Sequence, residues 1–555
     1  MRWALLPVIA ACAAHDPPAT GSRTVTYLTP TEHLVRASMA LRGVRPSLAE
    51  LQAVAKDPGQ LPHLVDTYLD SPEFGDTIRD LHNEVLLLRV QRPELTPSNA
   101  GPLGNRSFGE VTRSYFDEPL RLIEDVVMND RPYTEIVTAD YTMADDIVAA
   151  IYGMPHGPGS DWERVAWPDG RPAAGILVSD AFHARYRSAG FNYHRGRANA
   201  VARSMLCHDF LDGDVIIDPT VNLADPNVVA NAVVQNPSCA ACHQTLDPLA
   251  SYFFGYQQGV LNLDAIGGYP FTIYDATQTN DWFLTTDRPP SYFGQDAVGL
   301  DGLGKAIAAD PRFTRCAAIH FASYLTEVDP ANLSPAWIAQ LQAVFEQHHD
   351  SAKQLARAIV LSDPFRIASD SDPTDAETAV GYQKARPAQL SRMLYALTGY
   401  RWLGQSNQRV VGEWPIGTID LLDDDYSGFR VLGGGIDSFL VTEPVFTMNA
   451  TSSMVTRVAA FSAAQFVVDH DASVPLAQRT LLTAADPAAT DEGSVRAELA
   501  ELHARIFGEL VDPSDPELDA SYALYQGALA ASGDARRAWV VTLTGMLSDL
   551  KAVYY

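Results

Sequence analysis

The sequence predicts a mainly α protein of several domains, helical at both ends and irregular in a core between residues 166 and 367. Three observations predict it. Apolar residues recur at helical spacing from about residue 30 to the C-terminus, and many of these runs open on a helix-start signal. A chain of 555 residues exceeds what one hydrophobic core usually serves, so two to four domains are expected. The composition, 46% hydrophobic and 19% charged with 36 prolines and 37 glycines, is that of a loop-rich globular protein rather than a disordered one.

The elements follow in order. Met1-Arg2-Trp3 and the apolar run 4–11 have the pattern of a secretory signal, and the run is too short to cross a bilayer. It ends in Ile9-Ala10-Ala11-Cys12, which resembles a bacterial lipobox and makes Cys12 a candidate lipid anchor. The alternative is a buried apolar N-terminus with an incidental cysteine. Residues 13–26 read as a tether, and residues 27–165 as a helical domain. Thr29-Pro30-Thr31-Glu32 and Ser47-Leu48-Ala49-Glu50 are helix starts, Leu61 to Leu69 and Ile78 to Leu88 mark two more helices, and another runs over 118–128.

Residues 153–173, rich in Gly, Pro, Trp and Asp, read as a loop. The core, 166–367, contains helical signals at 176–182, 195–210, 303–324 and 335–361, with an extended stretch at 212–226 and a turn-rich one at 264–290. The polar run from Ala368 to Asp375 places a linker at 368–385. A C-terminal helical domain, 386–555, carries amphipathic stretches at 387–397, 452–468, 494–507, 518–531 and 536–553. Sixty-eight acidic against 40 basic residues leave a net charge of -28, which repels nucleic-acid phosphates and argues against a nucleic-acid partner.

The chemistry-bearing motif is Cys239-Ala240-Ala241-Cys242-His243. Two thiols at this spacing can add across the vinyl groups of haem while the adjacent imidazole ligates iron, so the motif predicts one covalent haem c with His243 as an axial ligand. Zinc would need about four ligands and no second Cys-x-x-Cys or paired-histidine unit is present. A plain redox thiol pair is the other alternative and would sit in a parallel-sheet context. The sixth iron position is open: no methionine falls between His243 and Met393, and the nearer candidates are His320, His194, Met205 and His208.

Five cysteines then need roles. With Cys12 assigned to lipid and Cys239 and Cys242 to haem, Cys207 and Cys316 remain, and an oxidising compartment would join them in a disulfide. Closing a loop of about 110 residues would constrain the unfolded chain by roughly 4–5 kcal/mol. Two buried free thiols are the alternative. Asp423-Asp424-Asp425 near Gly433-Gly434-Gly435 could bind calcium but lacks the spaced ligands of a calcium loop, and a solvated turn is the plainer reading.

Several pieces together resemble the planctomycete-type cytochrome c family, exported haem proteins with a Cys-x-x-Cys-His core. They are Leu41-Arg42-Gly43-Val44-Arg45-Pro46-Ser47 with Tyr68-Leu69-Asp70-Ser71-Pro72-Glu73-Phe74-Gly75, Asp130-Arg131-Pro132-Tyr133 with Ala139-Asp140-Tyr141-Thr142, Arg195-Gly196-Arg197-Ala198, and Asn236-Pro237-Ser238-Cys239 continuing to Gln244-Thr245-Leu246-Asp247-Pro248-Leu249. The resemblance spans residues 28–330, with a looser match at Gln389-Leu390-Ser391-Arg392-Met393-Leu394 and 539–555. It implies an exported haem protein and names no substrate. The expectation is an outer-membrane lipoprotein, periplasmic or at the cell surface, that transfers electrons to a partner protein of basic surface. An oxidoreductase with an open iron face, acting on peroxide or oxygen, and a surface scaffold with structural haem are the competing expectations.

Overall fold

A computed structural model describes residues 24–90, 101–159, 161–186, 194–212, 218–256, 274–279, 288–371, 380–406, 417–424 and 427–555. Helix accounts for about 60% of the chain and strand for about 5%, so the protein is mainly α. The expected leader, Cys12 and most of the expected tether lie outside the described residues.

Capping sets the opening helices. Pro30–Arg42 starts where the Thr29 N–H donates to Glu32 Oε2 (2.7 Å) and the Glu32 N–H donates to Thr29 Oγ1 (3.3 Å). Ser47 with Glu50 opens Leu48–Lys56 in the same way, and Ser107 with Glu110 opens Phe108–Met128. That last helix therefore begins well before residue 118, its proline, Pro119, lying inside it. Leu61–Leu69 and Pro72–Leu86 complete the group, and Leu34, Leu41, Tyr68, Phe74 and Ile78 from its helices enter one large core.

The centre of that core is Pro311–Thr326. It packs against Pro30–Arg42, Pro72–Leu86, Arg195–Leu206, Pro335–Gln347 and Ala352–Val360. Its Phe313 and Phe321 are 1% and 0% exposed, and each such ring contributes about 1.5–3 kcal/mol by leaving water. On the C-terminal side Ala450–Asp471 packs against Ala535–Leu547 and Pro387–Thr398.

Several expected helices are divided. Residues 303–324 fall in Gly299–Ala308 and Pro311–Thr326, because Asp310 caps the Arg312 N–H and Pro311 starts a new helix. Residues 335–361 form Pro335–Gln347 and Ala352–Val360, since His349 and Asp350 turn left-handed, at φ 56 and 57°, before Ser351 caps the second helix. Residues 536–553 divide into Ala535–Leu547 and Leu550–Val553 at the Asp549 cap. The 153–173 loop includes a strand, Glu163–Val165, paired antiparallel with Thr142–Ala144.

The packing crosses the segment boundaries drawn from sequence. Val25–Tyr27 pairs antiparallel with Ile367–Asp370, so the expected linker is ordered where it begins. It is ordered again where it ends: the Gln383 N–H donates to Tyr555 O (2.7 Å), the Tyr555 N–H to Gln383 O (2.8 Å) and the Ala385 N–H to Val553 O (2.8 Å). A polar, proline-broken run reads as a tether, yet here the two chain termini supply its backbone partners. Residues 372–379 of that linker lie outside the described residues.

Ion pairs join the opening and closing segments. Arg392 donates to Asp80 (2.8 Å), Arg386 to Glu84 (2.7 Å) and Glu327 (3.2 Å), and Arg113 to Asp423 (2.7 Å). Asp423 is thus a partner in a half-buried charge network rather than a freely solvated turn residue. Its carboxyl is held far below the usual range by Arg113, Arg89, Arg430 and Arg392, against the cost of burial.

Candidate cofactor site

The Cys-x-x-Cys-His motif occupies the start of Pro237–Ala250. Asn236 fixes that start: its Oδ1 accepts the Ser238 N–H (3.0 Å), its Nδ2 donates to Asp218 (2.8 Å), and Pro237 follows as the first helical residue. Cys239 and His243 are four residues apart and share a helix face, with Cys242 beside them. Cys239 is a half-buried free cysteine and Cys242 an exposed one.

One turn beyond His243, on the same face, stands Asp247, its side chain fully buried. Its Oδ1 accepts the His243 Nδ1–H (2.9 Å) and Arg195 Nε–H (2.6 Å); its Oδ2 accepts Arg195 Nη2–H (2.9 Å) and an N–H of Arg288. Arg195 is the first residue of Arg195–Leu206, so this carboxylate also ties that helix to the motif helix. Two guanidinium groups compensate a charge that burial alone would make costly.

The histidine's state follows. Burial, together with the Arg195 and Arg288 charges, lowers the His243 imidazole to about 4. At neutral pH the ring is uncharged, its one proton sits on Nδ1 facing Asp247, and Nε2 carries the lone pair. A neutral imidazole with Nε2 available and two adjacent thiols is a donor set that fits a covalently held haem.

The alternatives fare less well. Among the described residues, the group of His, Cys, Asp or Glu dense enough to hold a metal is Cys207, Cys316 and His320, which includes no residue of the motif, and its two sulfurs form a disulfide. The described strand pairs are all antiparallel, which is not the parallel-sheet setting of a redox Cys-x-x-Cys.

The four sixth-ligand candidates are occupied otherwise or not oriented by a partner. His320 Nε2 lies 3.1 Å from Ser204 O, 3.2 Å from Cys316 Sγ and 3.8 Å from Cys207 Sγ, so this ring attends the disulfide. His194 is buried, its Nδ1 accepting from Arg197 Nη1 (2.8 Å), its ring edge-on to Phe254. Met205 is a core residue of Arg195–Leu206, 4% exposed. His208 is half-buried against Phe210 and Phe293.

Cys207 and Cys316 are joined, with Cα atoms 5.3 Å apart. Cys207 closes Arg195–Leu206 as its C-cap, and Cys316 lies inside Pro311–Thr326. Sequence reasoning named Asp247 and Arg195 within the family resemblance and gave neither a role. The i, i+4 step from His243 to Asp247 was the available signal for one; Arg288 carried none, its contact spanning 41 positions.

A scan against protein-family models and searches of curated proteins and of solved structures found no match.

Proposed function

We propose that the chain is an exported c-type haem protein, as its resemblance to the planctomycete-type cytochrome c family implies, and that it transfers electrons. The observation that carries the reading is the Cys239-x-x-Cys242-His243 helix with His243 oriented by a buried, doubly compensated carboxylate. Haem bound there supplies a one-electron iron couple. The chain's own residues do the rest. Cys239 and Cys242 would hold the macrocycle through thioether bonds and His243 would offer Nε2 to the iron, while Asp247 accepts the Nδ1 proton and holds the ring plane. Arg195 and Arg288 pair with Asp247 and hold it in place. The net charge of -28 suits a partner with a basic docking face.

The experiment is a haem stain on a denaturing gel, with difference spectra. Wild-type protein should stain, and Cys239→Ala with Cys242→Ala should not; a stain retained by the double variant defeats the reading. The lipid-anchor proposal at Cys12 is tested by mass spectrometry of the mature N-terminus, where a diacylated cysteine is expected and an unmodified Met1 refutes it. Outer-membrane placement, periplasmic or surface-facing, belongs to the same proposal. No helix among the described residues is long and apolar enough to cross a membrane.

One observation favours the oxidoreductase alternative. A carboxylate on His243 Nδ1 makes the imidazole a stronger donor, which suits peroxide or oxygen chemistry at an open iron face. Carbon monoxide separates the two: rapid binding to the reduced protein supports the open face, and an unchanged six-coordinate spectrum supports electron transfer.

A further inference from the structure

We infer that Cys207–Cys316 is a thiol-exchange site, with Cys207 as the sulfur attacked, Cys316 as the leaving thiolate and His320 as the N–H donor that stabilises the leaving charge. The disulfide is asymmetric. Cys207 is exposed, whereas Cys316 is 1% exposed. A thiolate arriving from solvent therefore meets Cys207 first, and access selects which sulfur is attacked.

The surroundings of the other sulfur favour its departure. His320 Nε2 is 3.2 Å from Cys316 Sγ, and four residues separate the two on one helix. The same nitrogen is 3.1 Å from Ser204 O, a carbonyl that can only accept, so Nε2 carries the proton. That N–H is shared between the carbonyl and the sulfur. As Cys316 gains charge the N–H turns wholly toward it. Cys207 Sγ lies farther from that N–H, at 3.8 Å, so the leaving charge is better stabilised on Cys316.

Two further features bear on the site. Cys207 holds φ at 48°, a left-handed conformation that is strained for a residue with a side chain. His320 also lines a cleft of about 500 Å³ with Arg203, Ser204, Tyr324, Glu327 and Glu443, so the imidazole is reached from solvent by a path that bypasses the core.

The reaction balances with a dithiol as co-reactant. One thiolate of the dithiol bonds to Cys207 Sγ, and the Cys207–Cys316 bond breaks with its electron pair going to Cys316. The second thiol then attacks the mixed disulfide and releases Cys207. The dithiol leaves oxidised as a disulfide, and its two protons end on Cys207 and Cys316. The partner class is a dithiol protein or small dithiol; the chain is the oxidant.

The test uses the full folded protein with dithiothreitol, followed by alkylation and peptide mapping, which separates Cys207 and Cys316 from the haem-motif cysteines. Wild type should open under native conditions. His320→Phe should slow opening about 10-fold, the loss of roughly 1.4 kcal/mol of leaving-group stabilisation, while His320→Gln, which keeps an N–H, should stay within about 2-fold. Trapping with a monothiol should place the adduct on Cys207. Opening only after thermal unfolding, equal rates in all three proteins, or an adduct on Cys316 would each overturn the proposal. Thermal midpoints of the variants distinguish a slowed reaction from a loosened fold.

Discussion

Replacing Asp247 by alanine tests whether the motif helix is held by its charge cluster. The side chain is fully buried and accepts from His243, Arg195 and Arg288, so its removal takes one shared carboxylate from two guanidinium groups and an imidazole N–H. Removing one member of a buried ion pair costs about 3–5 kcal/mol. Both arginine side chains are 19% exposed, so water reaches them in part and the lower end applies, about 3 kcal/mol. The core runs through the whole chain, and at about 2.1 cal/mol/K per residue a unit of 555 residues loses about 1 °C per kcal/mol, so the midpoint should fall by about 3 °C. Circular dichroism melts at pH 7 measure it, with Asp247→Asn, which keeps volume and one acceptor, falling between variant and wild type. A midpoint within about 1 °C of wild type would refute the reasoning, because the arginines would then be satisfied without the carboxylate.

Other perturbations read different parts of the fold. Glu118, 2% exposed, is pushed up to about 7 by burial, although the hydroxyls of Ser179 and Thr142 donate to it. The folded state thus binds the proton more tightly than the unfolded one, so this stability is fully present below pH 4.5 and lost as pH rises through about 7. Glu118→Gln should remove up to about 3 kcal/mol of that loss, flattening the decline in denaturation midpoint between pH 5 and pH 8; an unchanged decline counts against it. At Gly304 an added Cβ would lie 2.0 Å from Val137 O, and at Gly175, where φ is 52°, 2.0 Å from Ile136 O. Gly304→Ala should therefore cost about 3 kcal/mol or more in urea unfolding, and a loss below about 1 kcal/mol would show that the neighbouring backbone yields. Cys316→Ala opens a crosslink spanning 109 residues and should lower stability by up to ~4–5 kcal/mol in the chain-entropy model. A thermal midpoint equal to wild type would show that the bond braces nothing.

The sequence made local structure legible wherever the cause was local. Thr29 with Glu32 and Ser47 with Glu50 announce helix starts because a cap needs only residues three apart. The helix expected over 118–128 starts instead at Phe108, where Ser107 and Glu110 form a capping box, and it carries Pro119 in its interior. The long stretches at 303–324 and 335–361 read as continuous because apolar spacing persists across Asp310 and Ser351. A cap followed by proline, or two left-handed residues in a row, ends a helix that hydrophobic periodicity alone would continue.

By itself the sequence determined the helical class, most helix positions and the Cys239, Cys242 and His243 donor set, since spacing and periodicity are properties of the chain within a few turns. Tertiary structure decided what lies beyond that range. Arg288 reaches Asp247 from 41 positions away, and the expected linker closes against the N-terminal strand and Val553 and Tyr555. His320, one of several candidate ligands by composition, was placed against a disulfide by the crossing of Arg195–Leu206 and Pro311–Thr326. The physical reason is the same in each case: a buried charge or backbone group must find a partner, and which partner is near is fixed only when the core closes.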